Sequence, residues 1–138
     1  MPLQEVAIDL QALAPRLAAK APSGWRLIFL NYEFADHERG AVSDCLAIAV
    51  CKAWLSSPRK QQIPTDANEY QILNRACRAL CAKAGQSFLT LDVVITRDNR
   101  FKSYVDYAQP ARIGGDLMAT RRYMKYVQEY PLLSQDEP

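Results

Sequence analysis

The chain has 138 residues, a formal net charge of +2 and 49% apolar residues. One domain of this length can bury roughly two-thirds of its unfolded surface. The charge is too small to support nucleic-acid or membrane binding by bulk electrostatics, and no apolar run approaches the roughly 20 residues that span a bilayer.

The N-terminal stretch predicts an amphipathic helix over about residues 3–20, because apolar residues recur there at three- and four-residue steps. Pro15 interrupts it, and an interior proline removes a backbone hydrogen bond, so we expect a kink or a short second helix at that point. No basic residue precedes Arg16, so the start lacks the charged region of a secretory signal, and we expect a cytoplasmic protein. The apolar stripe is Leu3, Val6, Leu10, Leu13 and Leu17.

Two strands are predicted next, over residues 25–34 and 42–54, with a charged hairpin loop at 35–40. Both strands carry apolar residues on both faces, which indicates that they lie centrally in a sheet or are covered from two sides. A polar loop is predicted over 56–64.

A helix is predicted to follow, with Thr65 or Asp66 as its N-cap. Asp66 and Glu69 have the spacing of a capping box, and Gly85 is placed to end the helix. Its predicted core stripe is Tyr70, Leu73, Cys77, Leu80, Cys81 and Ala84, and its predicted outer face is Glu69, Asn74, Arg75, Arg78 and Lys83.

Residues 88–107 predict a second hairpin, since apolar odd-numbered residues alternate with polar ones on either side of a turn at 98–100. A loop of three residues there would pair position 97 with 101 and set Asp92 opposite Asp106, with Tyr104 opposite Val94. Two like charges across a strand pair cost stability. The polar face of this hairpin is therefore the first candidate for a functional surface.

A last helix is predicted from Asp116 to about Glu129, with Leu117, Met124 and Val127 facing inward. The predicted order is α-β-β-α-β-β-α, an α+β fold with a four-stranded antiparallel sheet built from two hairpins. We expect one domain over residues 1–130 and a flexible tail over 131–138.

The four cysteines lack the usual metal-ligand spacing, so we expect buried free thiols. A four-thiolate metal site and a disulfide stay as alternatives. Cys45 and Cys51 share one strand face, whereas Cys77 and Cys81 share one helix face.

Little in the sequence indicates catalysis. The one histidine, His37, lies on a predicted loop, and no P-loop, GxSxG, HExxH or GxGxxG motif is present. Asp92 and Asp106, joined by Asp44 or Glu33, could bind Mg²⁺ in a small hydrolase, which is one alternative. We expect no enzyme and no cofactor.

We favour the interpretation that this protein acts by binding a partner protein. Carboxylates around an aromatic side chain suit a basic partner, because tyrosine adds contact area at low entropic cost and acids pair with arginine or lysine. The predicted contact residues are Tyr32, Glu33, Asp36, Glu38, Asp92, Tyr104 and Asp106.

Three stretches carry a family resemblance: Gly24-Trp25 at the start of the first strand, the last strand 100–107 (RFKSYVDY), and the closing stretch 121–126 (RRYMKY). In these stretches and in its two-hairpin layout the chain resembles the YezG-like immunity proteins. The resemblance implies a small cytoplasmic antitoxin that binds the C-terminal toxin domain of a contact-dependent growth-inhibition system, frequently a nuclease, in a one-to-one complex. Such a protein acts through an interface, with no nucleic acid or membrane as a direct partner. A homodimeric secretion or assembly chaperone is the alternative binding function.

Overall fold

The computed structural model describes residues 4–37, 40–51, 59–98 and 100–107. In these parts of the chain six strands form one antiparallel sheet in the order β1-β6-β5-β2-β3-β4. The predicted α+β class is therefore confirmed, whereas the predicted four-stranded sheet and element order are not. The elements are β1 Gln4–Val6, α1 Ala14–Lys20, β2 Trp25–His37, β3 Gly40–Cys51, β4 Arg59–Ile63, α2 Ala67–Ala84, β5 Phe88–Thr96 and β6 Phe101–Asp106.

The prediction of a long N-terminal helix was wrong. Residues 4–6 form an edge strand instead, with Gln4 opposite Val105 of β6. The helix begins only at Ala14 and carries Pro15 in its first turn, where a proline removes no intrahelical hydrogen bond. The expected short helix at Pro15 is therefore confirmed, while the segment before it pairs with the sheet.

Two loops were predicted where the structure has strands. β2 and β3 continue to His37 and Gly40, because their pairing extends through the stretch predicted as a loop at 35–40. β4 occupies most of the predicted 56–64 loop and pairs with β3 as an edge strand. Its exposed Lys60 and Gln61 give that edge a polar character, which disfavours pairing with other chains.

Helix α2 begins and ends as predicted. The Glu69 N–H donates to Asp66 Oδ1 at 2.9 Å and the Asp66 N–H donates to Glu69 Oε1 at 3.1 Å, which completes the capping box. Gly85 ends the helix in the left-handed conformation, with φ of 67°. The outward position predicted for Glu69 was wrong, because this side chain is only 1% exposed and lies 2.5 Å from Lys20 Nζ.

The second hairpin forms, with its apolar odd-numbered face on the core as predicted, but its register differs by two residues. The Thr96 N–H donates to the Arg100 carbonyl at 2.8 Å, so the loop is 97–99 rather than 98–100. Asp92 consequently faces Tyr104, and Asp106 faces Thr90. The predicted pairing of Asp92 with Asp106 was wrong.

The sheet has two different faces. Helices α1 and α2 pack on one of them, and Leu17, Leu73, Tyr32 and Leu91 belong to that core. The opposite face, on which neither of the described helices packs and which we call the helix-free face, has its own apolar cluster. Its described members all lie on strands: Leu27, Phe29, Ile48, Val50 and Val94, with Leu46 and Tyr104 packed against it.

All four cysteines belong to strands or helices on the core side and are free thiols, three of them buried and Cys45 half-buried. Neither helix in the described part of the chain is long and apolar enough to cross a membrane. Glu38, the strand end predicted at 52–54, the last helix at 116–129 and the tail at 131–138 lie outside the described residues.

Candidate functional site

The centre of the candidate site is Asp92, in the middle of the helix-free face. The strand register places Asp92 between Asn31 of β2 and Tyr104 of β6. On its other side, Tyr104 is paired with Glu5 of β1. The Asn31 side chain donates to Asp92 Oδ1 at 2.7 Å. Asp92 is 0% exposed, so its carboxylate is not accessible to solvent.

The neighbouring row of the same face carries three more acids. Glu33 of β2 lies between Asp44 of β3 and Thr90 of β5, and Thr90 in turn faces Asp106 of β6. Directly opposed like charges such as Glu33 and Asp44 destabilise a strand pair. These two rows, which we call the acidic rows, therefore hold five carboxylates: Glu5, Glu33, Asp44, Asp92 and Asp106.

Charge changes sign along the helix-free face. In the described part of the chain the acidic rows contain no lysine or arginine, whereas the other end carries Lys102 opposite Val94 and Lys60 opposite Val50. The apolar cluster of this face occupies the same rows as these two lysines, which stand beside it on β6 and β4. The face thus suits an amphipathic, basic occupant positioned over the acidic rows.

Exposure divides the acids into an interior and a rim. Glu33 is 3% exposed and Asp92 0%, whereas Asp44, Asp106 and the Tyr104 ring are half-buried. Glu5 is exposed. A partner that binds the folded domain can therefore reach the rim but not the interior pair.

Two of the predicted contact residues, Tyr32 and Asp36, lie on the core side of β2 rather than on the helix-free face. Tyr32 is completely buried on the core side, where its hydroxyl donates to Asn74 Oδ1 and its ring meets Tyr70 edge-on at 5.6 Å. Burial raises the pKa of the Tyr32 phenol well above its ordinary value. Tyr32 is therefore not accessible as the contact residue that the sequence predicts, because successive side chains of β2 alternate between faces and Tyr32 and Glu33 point in opposite directions.

Asp36 shares the Tyr32 side of β2 and is exposed at the end of the sheet, where its N–H donates to the Ser87 carbonyl at 2.8 Å. Sequence reasoning missed Asn31 and Glu5. Asn31 had a detectable signal, since it is a polar residue at the centre of an otherwise apolar strand. Glu5 had none, because β1 was predicted to be a helix.

The carboxylate pair proposed for a magnesium site does not form as predicted. Tyr104, not Asp106, faces Asp92. Among residues 4–37, 40–51, 59–98 and 100–107 no three His, Cys, Asp or Glu side chains are grouped so that they could hold a metal ion.

Described residues line two open clefts, the first of which shares Glu5 with the acidic rows. One, of about 470 Å³, runs beside the β1 edge, and the other, of about 330 Å³, lies on the outer surface of α2. The first is lined by Glu5, Val6, Ala7, Ile8, Phe101, Lys102 and Ser103, and the second by Gln71, Asn74, Arg75 and Arg78. Neither cleft is lined by a set of side chains that could act together in catalysis.

Comparison with known proteins identifies no relative of this chain. No protein-family model matches the chain, and neither a curated protein nor a solved structure is significantly similar to it, so membership of the YezG-like immunity family stays a prediction.

Proposed function

We propose that this protein is an immunity protein that binds a cognate bacterial toxin domain and neutralises it by occluding its active site. The toxin domain would be a nuclease delivered by contact-dependent inhibition, bound in a one-to-one complex in the cytoplasm. The proposal rests on the family resemblance in three stretches of sequence and on the charge distribution of the helix-free face.

The observation that carries the proposal is the concentration of acids at one end of that face. A nuclease domain must attract a polyanion, so its active-site surface is basic. An inhibitor of such a domain needs carboxylates on a rigid support, because complementary charge speeds association and fixes the orientation of the partner. The acids on β2, β3, β5 and β6 lie on strands that are paired on both sides, which provides that rigidity, whereas Glu5 lies on the edge strand β1.

The rim of the acidic rows supplies the contacts in this proposal. Tyr104 adds aromatic area beside the carboxylates of Glu5 and Asp106, the composition that binding hot spots favour. Asp36 and Asp44 extend the negative charge around the end of the sheet. Glu33 and Asp92 are buried beneath the rim and make no direct contact with the toxin domain in this proposal.

The test begins with the neighbouring reading frame, where the proposal expects a toxin gene. Binding of the full chain to the C-terminal domain of that toxin is then measured by calorimetry and by inhibition of nuclease activity. The double variant Glu5→Lys/Asp106→Lys should weaken binding by at least about tenfold, chiefly by slowing association, and the effect should shrink at high salt. Asp9→Lys is the matched control, an exposed acid on the loop before α1. Unchanged affinity of the double variant would remove this surface from the proposal.

The oligomeric state in the same experiment separates the alternative function. A one-to-one complex with a folded toxin domain supports immunity. A stable homodimer that captures an unfolded secreted segment and leaves nuclease activity intact would support the chaperone function instead.

A further inference from the structure

The cleft on the outer surface of α2 is lined by hydrogen-bond donors without an acid among its described residues. Its volume of about 330 Å³ lies at the lower end of the range for small-molecule sites. The lining residues recur at three- and four-residue steps, so they form one stripe along the helix. Two are arginines and two are amides: Gln71, Asn74, Arg75 and Arg78. Such a lining suits a ligand that accepts hydrogen bonds and carries negative charge.

The two arginines have no carboxylate partner in the described part of the chain. None of the ion pairs there includes Arg75 or Arg78. The positions three and four residues away from each of them on α2 also hold no acid, so a helical ion pair is excluded as well. Both side chains are exposed and lie one turn apart, and like charges at such a spacing weakly destabilise a helix. Folding therefore gains nothing evident from this pair.

The helix dipole does not account for the arginines either. A basic side chain is stabilised by the dipole only within the last turn of a helix. In α2, which ends at Ala84, Lys83 takes that position, whereas Arg78 lies more than one turn before the end. A negatively charged ligand would account for both arginines.

The core of the domain fixes the orientation of the Asn74 amide at this cleft. The Tyr32 hydroxyl donates to Asn74 Oδ1. Ser43 hydrogen-bonds the phenol oxygen of Tyr32, which favours this direction of donation. The carbonyl oxygen of Asn74 is thus engaged by Tyr32, and its Nδ2 group remains to donate to a ligand in the cleft. A donor that is already oriented binds at a lower entropic cost than a mobile one.

We propose that this cleft binds a phosphate monoester carried by a small molecule, with Arg75 and Arg78 on the phosphate oxygens and Asn74 Nδ2 as a further donor. A phosphate monoester has about two negative charges and three acceptor oxygens near neutral pH, which matches two guanidinium groups. A carboxylate or a phosphodiester has a single charge and would leave one arginine uncompensated. The cleft lies on α2 rather than on the helix-free face, so the proposal does not depend on the toxin-binding function.

Titration of the full chain with inorganic phosphate, followed by NMR of the side-chain N–H groups, tests the site. The Nε–H signals of Arg75 and Arg78 and the Nδ2 signals of Asn74 should shift and saturate with a Kd below about 5 mM. Sodium chloride keeps the ionic strength constant, so that screening does not change during the titration. Shifts that stay linear up to about 20 mM phosphate would overturn the proposal.

Matched variants separate this site from a general attraction of anions. Arg75→Gln and Arg78→Gln should each weaken phosphate binding at least about fivefold, whereas Lys83→Gln, the same loss of charge on the same helix, should change it less than about twofold. Arg78→Lys should also weaken binding, because lysine keeps the charge but not the planar fork. All three positions are exposed, and far-UV circular dichroism checks that the variants fold. Equal effects of Arg78→Gln and Lys83→Gln would overturn the proposal.

The class of ligand is tested by the same titration with phenyl phosphate, dimethyl phosphate and acetate. Phenyl phosphate, a monoester, should bind within about threefold of inorganic phosphate, and the two singly charged anions at least about tenfold more weakly. Equal binding of all three compounds would contradict the assignment to a phosphate monoester. Binding of inorganic phosphate without phenyl phosphate would show a site for the free ion only and would likewise overturn it.

Discussion

Asn31 and Asp92 form a buried hydrogen bond between the two central strands, with 2.7 Å between Asn31 Nδ2 and Asp92 Oδ1. A hydrogen bond to a carboxylate in a buried place is stronger than one between neutral groups. A double-mutant cycle with Asn31→Ala and Asp92→Ala should give a coupling free energy of about 1.5–3 kcal/mol in urea unfolding. Coupling below about 0.5 kcal/mol would show that the bond contributes little to the link between β2 and β5.

Glu69 joins the two helices. Its carboxylate is 1% exposed, lies 2.5 Å from Lys20 Nζ and 3.6 Å from Arg16 Nε, and also caps its own helix. Lys20→Met should lower the free energy of unfolding by about 1–2 kcal/mol, because one cation is lost and Arg16 still compensates the buried charge. Glu69→Ala should cost more, about 2–4 kcal/mol, since it removes the capping box as well. Equal losses in the two variants would contradict this ordering.

The Tyr32 phenol should make the fold sensitive to alkali. Burial raises its pKa in the folded state, so its stabilising contribution is complete below the unfolded-state pKa of about 10 and is lost as pH rises above it. Tyr32→Phe should be less stable by about 0.5–1.5 kcal/mol at pH 7, because the hydrogen bond to Asn74 is lost. That deficit should shrink as pH rises from 9 to about 11 in urea unfolding. A deficit independent of pH would contradict the assignment.

Alkylation should distinguish the cysteines. Burial raises the pKa of the Cys77 and Cys81 thiols, and the thiolate is the form that reacts. Iodoacetamide at pH 8 should therefore label half-buried Cys45 first, with Cys77 at least about tenfold slower than in the unfolded chain. Mass spectrometry of the labelled peptides gives the order, and early labelling of Cys77 would indicate that α2 separates readily from the sheet.

Several local features follow from the sequence alone. The Asp66–Glu69 spacing and Gly85 set the limits of α2, because capping depends on residues within one turn of the helix end. Alternation also gives the core face of the second hairpin, since side chains on a strand repeat every two residues. Both signals are local, so no tertiary information is needed to read them.

The register, the edge strands and the site required the tertiary structure. Asp92 faces Tyr104 rather than Asp106 because the turn begins one residue earlier, and the alternation of apolar residues cannot distinguish registers that differ by two. Residues 4–6 form a strand because β6 offers a free edge to them, a partner about 100 positions away in the sequence. Asp92 joins Asn31 and Tyr104 only when β2, β5 and β6 pair. The sequence by itself therefore determines what each segment prefers, whereas long-range strand pairing decides which charges are buried together.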